Sequence, residues 1–171
     1  MKKIIIVVTL LLLLLHAKAH SEADSIANIK NFSLLSKRLA SSGMPAENEF
    51  ELIRRNDYQH IINLIPGDFS QEKQRINALG MSFEQIAVDW NQPTFDDFQH
   101  FVNLMKAYQH EKVFVHCRLN YRASVFTYLY QTTQLGIDES IARRQMLDIW
   151  QPNDTWLEFI DNVHKNYANR K

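Results

Sequence analysis

Apolar residues in this chain fall into short runs, separated by stretches in which they recur every three or four positions. That alternation predicts strands and helices in turn. Residues 60–65, 81–88 and 112–116 read as buried strands, and Phe32-Ser33-Leu34-Leu35-Ser36 as the start of a first one. Helical spacing is predicted over 48–55, from Ser70 to about Leu79 with Gly80 as its carboxyl-terminal cap, and from Thr94 through Met105. Thr94 with Asp97 makes a plausible amino-terminal cap for the last of these. Beyond residue 121 the pattern is helical: about 122–135, 138–149 and 154–168, broken at Gly136-Ile137-Asp138 and Gln151-Pro152-Asn153. Strands that alternate with helices imply an α/β fold. Its mostly parallel central sheet is flanked by helices, and its C-terminal part is all-helical. In such sheets a ligand sits at the carboxyl ends of the strands, where Cys117 and Asp89 both fall.

The amino terminus obeys a different pattern. Lys2 and Lys3 precede an apolar run from Ile4 to Leu15 that only Thr9 interrupts, and Ala17-Lys18-Ala19 follows. These are the three parts of a secretory signal peptide, and the run is short for a membrane span of about twenty residues. The expected organisation is a signal peptide over 1–19, a flexible mature terminus over 20–31 and one domain over 32–168. The mature protein is expected to be periplasmic or secreted, with no stable membrane span after cleavage. Cleavage after Ala19 removes Lys2, Lys3 and Lys18, leaving sixteen Lys and Arg against nineteen Asp and Glu, a net charge of −3. Nothing in that balance suggests a nucleic-acid binder. The chain has 1 Cys, so no internal disulfide can form. In an exported protein an unpaired thiol is a liability, which favours a working role for Cys117.

The stretch Lys112-Val113-Phe114-Val115-His116-Cys117-Arg118-Leu119-Asn120-Tyr121-Arg122-Ala123-Ser124 carries the chemistry. A buried strand ends at Cys117 and a helix begins near Arg122, so the turn between them is an anion site: N–H groups and the helix dipole both favour negative charge there. The same field favours a thiolate and should depress the Cys117 pKa. Arg122 can clamp two oxygens of a tetrahedral anion. An activated sulfur facing an oxyanion cradle is equipped to attack phosphorus or sulfur. Displacement at a phosphate ester also needs a proton for the leaving oxygen, and Asp89, on a loop at a neighbouring strand end, can donate it. Asp96 and Asp97 rank below it because they look like helix-start residues. His116 supports the turn, or is a satisfied core histidine. Arg118 guards the pocket mouth or faces solvent, and Ser124 bonds the leaving thiolate or caps the helix. Asn63 stands at a strand end near this site, while Trp150 and Trp156 are expected to pack the final helix.

The strand, His-Cys, short loop, Arg and helix resemble the phosphate loop of cysteine-dependent protein tyrosine and dual-specificity phosphatases. Ser42-Gly43-Met44-Pro45, Ile61-Ile62-Asn63-Leu64, Gly80-Met81, Val88-Asp89-Trp90 and Pro93-Thr94 follow in the order of a bacterial branch related to the beta-lactamase-hydrolase-like group. The resemblance covers roughly residues 32–165. It implies the phosphotyrosine protein phosphatase-like fold, a phosphocysteine on Cys117, Arg122 on the phosphoryl oxygens and Asp89 as general acid. Arg118, Leu119, Asn120, Tyr121, Ala123 and Ser124 would bind the phosphorylated substrate, a protein or a small molecule, with no cofactor and no metal. The main pattern has five residues between Cys and Arg, but here there are four, as tends to hold in the bacterial branch. One residue fewer removes one N–H from the cradle. The usual glycine is missing, and Asn120 is the residue best suited to a left-handed conformation there. The Ser/Thr that normally follows Arg is displaced by one, to Ser124. Two other readings compete. One is a rhodanese-like sulfurtransferase carrying a persulfide on Cys117, which needs no general acid. The other is a non-catalytic anion- or partner-binding module of the same fold.

Overall fold

The computed structural model describes residues 25–169. The signal peptide expected over 1–19, and residues 20–24, lie outside the described residues. Five strands form one sheet: β1 (Ser33–Ser36), β2 (Leu39–Ser42), β3 (His60–Asn63), β4 (Ser82–Gln85) and β5 (Val113–His116). Six helices surround it: α1 (Glu49–Arg55), α2 (Ser70–Ala78), α3 (Phe95–Ala107), α4 (Tyr121–Thr133), α5 (Glu139–Leu147) and α6 (Asp154–Ala168). The strand order is β1-β2-β5-β3-β4, and only β1 runs antiparallel, as a hairpin with β2. Among the described residues no helix is long and apolar enough to cross a membrane.

The register explains where the site lies. Ser42 and Asn63 both pair with His116, and Gln85 pairs with Asn63, so all four parallel strands end level. The loops after them all leave at the carboxyl end of the sheet. Strand alternation sends β5 side chains to opposite faces. Val113, Val115 and Cys117 pack with residues of α3 to α6, whereas Phe114 packs with Phe50 and Ile53 of α1 and Ile76 of α2. β2, β3 and β5 are buried throughout, as expected of central parallel strands covered on both faces.

Two expectations change. Residues 25–31 are not a loose terminus in this fold. Ile26–Asn28 form a 3₁₀ turn whose preceding Ser25 caps Ala27 N, and Ile29 is 1% exposed in the core. The apolar Ile29 side chain supplies the burial that docks the segment. The second change is β2, over residues where no element was expected. It is buried because β1 and β5 supply a hydrogen-bonding neighbour on each side.

Candidate active site

β5 is pinned on both sides up to the point where the loop leaves it. The Leu64 N–H donates to His116 O at 2.9 Å, and the Cys117 N–H donates to Ser42 O at 3.3 Å. After Cys117 the chain rises, turns at Asn120 with φ 66°, and enters α4 at Tyr121. Asn120 thus adopts the left-handed conformation that its side chain tolerates best among the loop residues. Cys117, Arg118, Leu119, Tyr121 and Arg122 line one pocket of about 310 Å³ together with Trp90. Hollows of about 420 and 400 Å³ elsewhere contain neither Cys117 nor Arg122, so size does not identify the site and chemistry does.

Arg122 is the most constrained of these side chains. Its Nε donates to Val88 O at 3.1 Å, and its guanidinium lies 5.3 Å from the centre of the Trp90 ring. The carbonyl that receives it belongs to the stretch that leaves β4 after Gln85, earlier than the run of apolar residues suggests. Asp89 follows directly. It is exposed, and its Oδ1 accepts the Asn91 N–H at 2.7 Å, which shapes the turn before Trp90. Asp89 therefore stands one residue outside the pocket wall. Asp97 is committed elsewhere, because its Oδ2 accepts both the N–H and the hydroxyl of Thr94 in the α3 capping box.

The remaining predicted residues lie behind the pocket. Ala123 is buried in the first turn of α4. The Ser124 hydroxyl donates to Tyr121 O at 3.0 Å and accepts Trp150 Nε1 at 3.2 Å. His116 sits on the other face of β5, edge-on to Phe50, with its Nε2 3.1 Å from Glu72 Oε1. The same Glu72 oxygen accepts from Asn63 Nδ2 at 2.9 Å, while Asn63 Oδ1 accepts the Ile65 N–H.

Glu72 was not legible as part of this arrangement, because a Glu in the first turn of a helix usually serves the helix dipole. Its side chain is 8% exposed and ties α2 to the ends of β3 and β5 beneath the loop. Glu72→Ala leaves two buried polar groups without their acceptor and is expected to cost about 3 kcal/mol. Glu72→Gln keeps an acceptor oxygen and should cost about 1 kcal/mol. Urea unfolding midpoints at unchanged slope measure both. Equal stability of all three proteins would show that the network carries no weight.

The C-terminal helices also reach the site. Trp156 is fully buried and its Nε1 donates to Trp90 O at 3.1 Å. Trp150 stacks on Tyr121 at 4.6 Å with an 8° interplanar angle, and Trp90 lies 5.4 Å from Trp150 and 5.3 Å from Trp156. Trp156 of α6 and Trp150 of the connection before it thus brace the pocket wall. The result is an apolar wall beside the Cys117 thiol and the Arg122 guanidinium. Among the described residues no group of three or more His, Cys, Asp or Glu is arranged to hold a metal ion.

No family model matches the sequence, and no curated protein does. Solved structures do. Two crystal structures of a candidate phosphatase of the DUF442 group from Shewanella putrefaciens CN-32 are similar to this chain. One is 29% identical with a TM-score of 0.76, covering 83% of this chain and 96% of that one. The other is 30% identical with a TM-score of 0.71, covering 84% and 96%. TpbA from P. aeruginosa in complex with phosphotyrosine shares the fold, at 16% identity and a TM-score of 0.64 over 81% of this chain and 91% of that one.

Proposed function

Because this chain belongs to the cysteine-based phosphatases of the protein tyrosine phosphatase-like fold, we propose that it hydrolyses phosphate monoesters through a phosphocysteine on Cys117. The observation that carries this reading is the pocket that Cys117 and Arg122 line together at the start of α4. The Cys117 thiolate attacks phosphorus, the S–P bond forms and the ester P–O bond breaks. Asp89 gives its proton to the departing oxygen. Its carboxylate then takes a proton from water, which attacks phosphorus. The S–P bond breaks, inorganic phosphate leaves and the thiolate returns. Arg122 binds the phosphoryl oxygens throughout. Trp90, Leu119 and Tyr121 give the pocket an apolar, aromatic wall, which suits an aryl ester, and phosphotyrosine is the substrate class we assign. Arg118, exposed at the rim, attracts the anion. Export of the mature enzyme is part of the same proposal and rests on residues 1–19.

Asp89→Asn tests the acid. Loss of one proton donor is expected to lower kcat/KM on phenyl phosphate by about 10²–10³. The loss should shrink on p-nitrophenyl phosphate, whose leaving oxygen needs no proton. Wild-type activity on both esters would overturn the assignment of Asp89. A loss that is equal on the two would move Asp89 from proton transfer to binding.

A further inference from the structure

The phosphate loop is not held by its own residues. Asn120 is the N-cap of α4, yet its side chain makes no capping bond. Asn at this position normally accepts an N–H from the first turn. Here its Nδ2 instead donates to Asn31 O at 2.6 Å, and Asn31 Nδ2 donates to Leu119 O at 2.9 Å. The two residues are 89 positions apart, and both are left-handed, with φ 50° and 66°. The segment before Asn31 is itself docked. The Gly43 N–H donates to Lys30 O at 2.7 Å, and a Cβ on Gly43 would meet that oxygen at 3.1 Å, tighter than an ordinary van der Waals contact. Ile29 anchors the segment in the core.

This diversion has a consequence for anion binding. Among the described residues, the main-chain N–H groups of Tyr121, Arg122 and Ala123 have no acceptor. An Asn side chain that capped α4 would occupy one of them. We infer that Asn31 is a positioning residue of the phosphate loop: its carbonyl holds the Asn120 side chain off α4 and its side chain holds Leu119 O, so the turn is fixed with the first N–H groups of the helix open to phosphoryl oxygens. The inference rests on the reading of the Cys117 loop as the phosphate site.

Glycine accepts both backbone conformations, so without added strain Asn31→Gly deletes the bond to Leu119 O and Asn120→Gly the bond to Asn31 O. The full mature chain and the two variants are titrated with tungstate, an unreactive tetrahedral oxyanion, well below their thermal transitions. kcat/KM on an aryl phosphate is measured beside it. Each variant is expected to weaken tungstate binding and kcat/KM by roughly tenfold, the scale of one lost hydrogen bond near a charge. The double variant should lose less than the product of the two single losses, because the two bonds brace one turn. A merely structural tether would lower the thermal midpoint and leave tungstate affinity unchanged, which would overturn the inference. Fully additive losses would also overturn it, since the two positions would then act separately. A wild-type protein that neither binds tungstate nor hydrolyses the ester removes the phosphate-site reading itself. Wild-type binding that survives both substitutions removes the tether alone.

Discussion

Cys117→Ser is expected to abolish phosphate release, with a loss on the order of 10⁴ or more in kcat. Sulfur and oxygen differ little in size, and position 117 is 1% exposed at the end of a strand pinned on both sides, so the fold should survive. The difference is acid strength. A thiol ionises far more readily than an alcohol, so a serine hydroxyl at this position cannot supply the anionic nucleophile. The variant keeps Arg122 and the N–H groups of α4, so it should still bind tungstate with wild-type affinity. Hydrolysis of an aryl phosphate under reductant and tungstate titration, run together, separate chemistry from binding. Activity within tenfold of wild type would exclude Cys117 as the nucleophile. Parallel measurement of sulfur transfer from thiosulfate to cyanide guards the assignment. Thiocyanate formed without phosphate release would place the thiol in persulfide chemistry.

How far the sequence carries this site depends on which interactions are local. β5, the loop and α4 were legible because a β-branched apolar run, a turn and a helical spacing follow one another within twenty residues. The left-handed turn at Asn120 was legible too, since no other loop residue tolerates that conformation as well. The start of α3 was written in Thr94 and Asp97, and both make the expected bonds. What failed was everything that depends on a distant neighbour. Leu39-Ala40-Ser41-Ser42 carries no strand signature, and it becomes a buried strand only because β1 and β5 flank it. β4 ends at Gln85 rather than near Val88. The segment peels away, and Val88 O is then available to Arg122. Asn31 lies in a polar stretch that looks like a terminus, and Glu72 looks like an ordinary helix-start carboxylate. Each acquires its role from a partner dozens of residues away, and no periodicity records such a pairing.

Arg122→Ala is expected to lower kcat/KM on an aryl phosphate by about 10⁴, if each of two donors to the phosphoryl oxygens contributes about 10². The structure gives a reason to count two. The Arg122 Nε is already used on Val88 O, and the Trp90 ring sits 5.3 Å from the guanidinium carbon. Those contacts fix the plane of the group and leave its terminal nitrogens for the substrate. A planar fork held in advance loses little side-chain entropy when it binds, so most of its interaction reaches the transition state. Arg122→Lys keeps the charge but can neither reach Val88 O with a second nitrogen nor present two parallel donors. It should recover about 10² of the loss and no more. Full recovery by lysine would mean that charge alone matters and that the fork geometry is incidental. Retention of a tenth of wild-type activity by the alanine variant would remove Arg122 from the site altogether. The loss also exceeds that expected for Asp89→Asn, and the order follows from burial. Arg122 acts inside a pocket walled by tryptophan and tyrosine, where a charge is poorly screened, whereas Asp89 is exposed and water can substitute in part for its proton.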